Sequence, residues 1–174
     1  NILGRLEEVS FGEDFDNRVR AECLAIRAMT HFDLTRIYAQ DYNYTSDQSH
    51  YAVPYQFESE PGTDPGRNTM AEVYDYGMTD INEAINLLQS LDGSEIENFR
   101  SGDDIFFFNY YSALGVRARM YFYMGDYNNA LDDSDEILTG PYSLSDYTIT
   151  QKIPPSFTDP TDFLDEWYRQ APIV

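Results

Sequence analysis

The side chains able to do chemistry in this sequence are mostly carboxylates and phenols. It holds 31 Asp and Glu against 11 Lys and Arg, together with 15 Tyr and 11 Phe. Two carboxylates can hydrolyse a glycosidic bond. Among so many acids a pair can always be nominated, and no spacing singles one out. Asp41-x-Asn43-x-Thr45-x-Asp47 begins like a calcium loop. It fails at position six, where Ser46 replaces Gly, and at position twelve, where Ala52 replaces the bidentate Glu. His31 and His50 have no metal-ligand spacing to each other, and His31 falls in a helical pattern as a partly buried residue. No G-x-S-x-G, H-E-x-x-H or P-loop sequence is present. With Cys23 as the single cysteine, neither an internal disulfide nor a cysteine zinc site can form. No catalytic residue, metal or cofactor is therefore assigned. The tyrosines, each with an apolar body and a polar tip, suit a wet binding surface instead.

The formal charge of −20 narrows the partners. Nucleic acid needs clustered Lys and Arg, and anionic lipid needs the same, so neither is expected as a direct partner. Neutral or cationic ligands fit the charge. No run of about 18 apolar residues occurs, so no transmembrane helix is predicted. The start Asn1-Ile2-Leu3-Gly4-Arg5 lacks a basic segment followed by an apolar core. Either a cytosolic protein or a chain that has lost its targeting region is expected on that ground.

Four helices are predicted to position these side chains. Ala21, Leu24, Ala28 and Phe32 recur at intervals of three or four, predicting a helix from about Asn17 to Ala39. Residues 40–68 carry Pro54, Pro61, Pro65, Gly62 and Gly66 and form a long loop, in which Tyr42, Tyr44, Tyr51 and Tyr55 lie. Thr69-Met70-Ala71-Glu72 is a capping box. The helix it opens carries Val73, Gly77, Ile81, Ala84 and Leu88 on one stripe and ends near Leu91. A third helix carries Phe107, Tyr111, Leu114, Ala118 and Tyr121 and stops at Gly125. Asp126 caps a fourth with Tyr127, Ala130, Leu131, Ser134 and Ile137, ended by Gly140-Pro141. Phe32, Tyr121 and Tyr127 are expected in the core, and Asp132-Asp133-Ser134-Asp135-Glu136 on the exposed face of the fourth helix, with Ser134 pointing inward. Residues 145–174 are an irregular tail, with a short amphipathic stretch from Thr161 to Gln170 that contains Trp167.

Residues 110–142 have the organisation of a tetratricopeptide (TPR) hairpin. Ala118 and Ala130 are the small residues that let two helices approach, and Gly125-Asp126-Tyr127 is the turn. The fold class expected is all-α: TPR-like antiparallel hairpins with a long inserted loop, over residues 1–144, followed by the tail.

Several stretches together resemble the SusD/RagB family of Bacteroidetes outer-membrane nutrient-binding lipoproteins. Ala21-Glu22-Cys23-Leu24-Ala25-Ile26-Arg27-Ala28 with His31-Phe32-Asp33-Leu34-Thr35-Arg36-Ile37-Tyr38 is similar to that family's AExxFLRAxxYFDLVRxYG segment, with His31 in place of an aromatic. Val53-Pro54-Tyr55 resembles its IPL element. Arg67-Asn68-Thr69-Met70-Ala71-Glu72-Val73-Tyr74 resembles PRxTvxEVY, and Ala118 to Tyr127 resembles ARvYLYxGDw. Glu136-Ile137-Leu138 with Gly140 to Leu144 resembles eiIxSGxYsL. These elements keep their order over residues 21–144.

The resemblance implies a non-catalytic cell-surface protein that binds an oligosaccharide or other nutrient. It implies partnership with a TonB-dependent (SusC-like) transporter, which the TPR helices contact. It also implies anchoring in the outer membrane by a lipidated cysteine, absent from this chain because Cys23 lies inside a helix. In such a protein Tyr42, Tyr44, Tyr51, Tyr55 and Trp167 are the candidate ligand contacts. The competing assignment for the four loop tyrosines is that they fold back over the helices or touch the transporter. Two other functions stand beside this one. A generic TPR protein-interaction module predicts further tandem units and a groove lined by Asn, Lys or Arg; a glycan-active enzyme predicts two carboxylates converging in a cleft.

Overall fold

A computed structural model of the chain describes residues 2–58, 65–91 and 108–140. Five α-helices lie within them: α1 (Ile2–Glu8), α2 (Glu13–Tyr38), α3 (Met70–Ser90), α4 (Tyr110–Met124) and α5 (Tyr127–Thr139). Among the described residues there is no strand, only an isolated bridge between Tyr51 and Thr69. No helix there is long and apolar enough to cross a membrane. The fold is all-α and TPR-like.

Helices α2 to α5 alternate in direction. Arg20 meets Glu83, Arg27 meets Asp80 and Phe32 meets Tyr74, so α2 and α3 run antiparallel. Arg117 reaches Asn82 on α3, and Met120 lies over Gly77, which sets α4 antiparallel to α3. Arg117 to Asp133 and Phe122 to Tyr127 fix the α4–α5 hairpin in the same way. The core runs through α2, α3 and α4: Ala21, Leu24, Ala28 and Phe32 from α2, Val73, Ile81, Ala84 and Leu88 from α3, and Leu114 and Met120 from α4, with the half-buried Ile137 of α5 packed against it. The close approach at Gly77 has a simple cause. A Cβ there would stand 2.9 Å from Met120 Cε.

Local signals set most helix ends. Thr69 accepts from the Glu72 N–H, and the Glu72 carboxylate accepts from the Thr69 N–H at 2.8 Å, the reciprocal capping box. That hydrogen bond holds the Glu72 carboxyl below its usual range. Replacing Thr69 with alanine should lower the unfolding free energy by about 1 kcal/mol, read from urea denaturation. Gly125 has φ +83°, and the Asp126 N–H reaches back to Tyr121 O at 2.9 Å, so the α4–α5 turn is a left-handed C-cap. Asn109 and Ser112 form a second capping box at the start of α4.

Three expectations need correction. Helix α2 starts at Glu13, after Gly12 at φ +115°, rather than at Asn17, and α1 precedes it. Tyr127 is 64% exposed instead of core. It sits in the first turn of α5, and its ring packs on Phe122 at 5.6 Å. Asp133 is buried instead of lying on an exposed face, because Arg117 grips it from α4. Phe107, the amphipathic stretch at 161–170, and the division between scaffold and tail lie outside the described residues.

Candidate functional site

The chain leaving α2 is built into the domain rather than thrown out as a free loop. Residues 42–44 make one 3-10 turn, capped by Asp41, whose carboxylate accepts from the Asn43 N–H at 2.9 Å. The Asp47 carboxylate takes the Ser49 N–H and hydroxyl, which lowers its pKa. Both acids of the calcium-like pattern thus serve local turns. The next carbonyls satisfy the start of α3: His50 O accepts from the Met70 N–H and Gln48 O from the Ala71 N–H. Residues 51–57 then form a strap across α2 and α3. Ala52 N–H bonds Asn68 O, and Arg67 donates to the carbonyls of Ala52 (2.7 Å) and Tyr51 (3.1 Å).

The strap is pinned by a polar cluster beneath it. Arg27 grips Asp80 through two bonds of 2.6 and 2.7 Å, and the Tyr55 hydroxyl donates to the same carboxylate at 2.6 Å. The Asp80 hydrogen bond raises the Arg27 pKa above its already high value, and burial pushes the Tyr55 phenol far up. Both therefore keep their protons at any working pH. Tyr55 stacks on His31 with centroids 4.1 Å apart. Phe57 and Tyr76 close the cluster, and the Arg27 guanidinium lies 4.9 Å from the Phe57 centroid.

This arrangement separates the candidate tyrosines. Tyr55 is only 5% exposed and offers no face to a ligand, so it is corrected to a core residue. Tyr42 is half-buried, with its ring 4.6 Å from that of Tyr74. Tyr44 and Tyr51 are 64% and 65% exposed. Tyr44 meets His50 edge-on at 5.5 Å, and the Arg67 guanidinium lies 5.9 Å from the Tyr51 centroid. Among the described residues no two of these four rings pack on each other. Trp167 lies outside the described residues.

Two features escaped sequence reasoning. Arg67 positions Tyr51 from the far end of the loop; its place directly before the Asn68-Thr69 cap was the available signal. The outer face of α5 exposes Tyr127, Leu131 and Leu138 beside Phe122. Their spacing of four and seven residues makes a stripe separate from the buried Ala130 and Asp133.

The same helical arrangement occurs in solved structures. The chain aligns at 31% identity and TM-score 0.64 with a candidate sugar-binding protein of Bacteroides vulgatus, covering 79% of this chain and 29% of that one. A SusD superfamily protein of Bacteroides thetaiotaomicron aligns at 26% identity and TM-score 0.68, covering 84% and 31%. A SusD-like carbohydrate-binding protein of Bacteroides vulgatus gives TM-score 0.71 over 87% and 30% at 18% identity, a likeness of fold alone. The chain thus spans under a third of the length of each. No curated protein matches it. Residues 1–122 match the SusD-like family, described as starch-binding and associating with the outer membrane, and the chain belongs to that family.

Proposed function

We propose that this chain is the helical part of a non-catalytic glycan-binding protein of the outer cell surface, working with a TonB-dependent outer-membrane transporter. The family match over residues 1–122 carries this reading. The exposed faces of Tyr44 and Tyr51 are consistent with it, because a flat aromatic face can stack on a sugar ring while the phenol hydroxyl stays wet. Tyr44, Tyr51 and Trp167 are the ligand contacts; Tyr42 and Tyr55 are part of the packed strap region that carries Tyr44 and Tyr51. The net charge of −20 favours a neutral oligosaccharide over a polyanionic one. Attachment to the membrane is through a lipid anchor, and the helices face the transporter.

The test is titration of the purified chain with a panel of neutral and acidic oligosaccharides, followed calorimetrically. Tyr51→Ala should weaken the best neutral ligand by about tenfold, close to 1.4 kcal/mol, with no change in thermal midpoint. Unchanged affinity in both Tyr44→Ala and Tyr51→Ala removes these rings from the site. Turnover of any glycan by the chain overturns the non-catalytic reading. Co-purification of the chain with a transporter of this class from membranes tests the partnership.

A further inference from the structure

His31 is held at both ring nitrogens by backbone groups that cannot exchange roles. Nδ1 lies 2.9 Å from the carbonyl oxygen of Arg27, one turn earlier on α2, and that oxygen can only accept. Nε2 lies 3.0 Å from the backbone nitrogen of Gln56 on the strap, whose N–H can only donate. The closed structure therefore takes one form of this ring, neutral with its proton on Nδ1. The Tyr55 ring covers its face.

We propose that His31 is a proton-operated catch on the strap: protonation of Nε2 and closure at Gln56 exclude each other. A proton on Nε2 sets N–H against N–H across 3.0 Å and leaves a part-buried amide without an acceptor. The groups packed around the ring do not compensate. On α2, Arg27 one turn earlier carries a guanidinium, of the same sign as an imidazolium, held on Asp80 and over Phe57. From α3 the Asp80 carboxylate already takes two bonds from Arg27 and one from Tyr55, and Tyr76 packs on Tyr55 as an uncharged ring. From the strap, Tyr55 keeps its proton and brings no negative charge. Falling pH thus loosens the strap at Gln56.

Amide hydrogen exchange followed by NMR on the full chain tests the catch. Protection at Gln56, corrected for intrinsic exchange, should fall about tenfold between pH 7.5 and pH 5. Protection at Ala71, bonded to Gln48 O away from the ring, should not. His31→Gln cannot gain a charge, and its Gln56 protection should be flat with pH. Equal protection at both pH values in the wild type overturns the proposal, as does an equal fall in His31→Gln. If that variant does not fold, the imidazole nitrogen shifts of wild-type His31 decide, read with His50→Gln so that one histidine remains of the two. A protonated ring with Gln56 still protected overturns the proposal; a neutral Nδ1–H ring at high pH that protonates as Gln56 protection is lost supports it.

Discussion

Asp80→Ala is expected to lower the unfolding free energy by about 3–5 kcal/mol, the largest effect of any single polar substitution in the α2–α3 half. Asp80 is 4% exposed and its two oxygens take three hydrogen bonds, two from Arg27 and one from Tyr55. Truncating it leaves a guanidinium and a phenol desolvated, with no carboxylate to receive them. The cost comes from that abandonment more than from the worth of the pair. A double variant, Arg27→Met with Asp80→Leu, should therefore recover much of the loss. Urea denaturation of Arg27→Met, Asp80→Leu and the double gives the coupling directly. A loss below about 1 kcal/mol in Asp80→Ala would show that water reaches the cluster and that the strap is not held there. Because Arg27 keeps its charge, the wild-type pair should not weaken as pH is raised from 7 to 10.

The parts of the fold legible in the sequence are those fixed by neighbours along the chain. Thr69 with Glu72, and Gly125 with Asp126, specify helix ends within a few residues, so both were readable. The apolar stripe of α3 was readable because one face of that helix meets both α2 and α4. Asp80 and Asp133 were not readable. Their partners lie 53 and 16 residues away, and an acidic residue on a helix otherwise reads as solvated. The loop tyrosines show the same limit. Around the bridge at Tyr51 the side chains alternate, Tyr51 out and Ala52 in, and Tyr55 turns inward to Asp80. Composition marks all of these rings as candidates; only the pairing of the strap with Asn68 and Arg67 divides them. Tyr127 was misplaced for a related reason. Its register sets it with Leu131 and Leu138 on the outer face of α5, apart from the buried Ala130 and Asp133, and an aromatic in a helix otherwise reads as core.

Arg117→Ala is expected to cost about 3–4 kcal/mol and to uncouple three helices at once. Arg117 donates to both oxygens of Asp133 on α5, at 2.9 and 2.6 Å, and to the Asn82 side chain on α3 at 2.8 Å. Asp133 hydrogen bonding raises the Arg117 pKa further, so the cation is permanent. In the parent Asp133 is 5% exposed, and truncating Arg117 removes the cation that faces it. Arg117→Lys separates charge from geometry. A single ammonium can meet Asp133 or Asn82 but not fork across both, so about half the stability should return. Urea midpoints of the three proteins read both effects. A loss below about 1 kcal/mol in Arg117→Ala, or full rescue by lysine, would mean that the fork does not tie the three helices together.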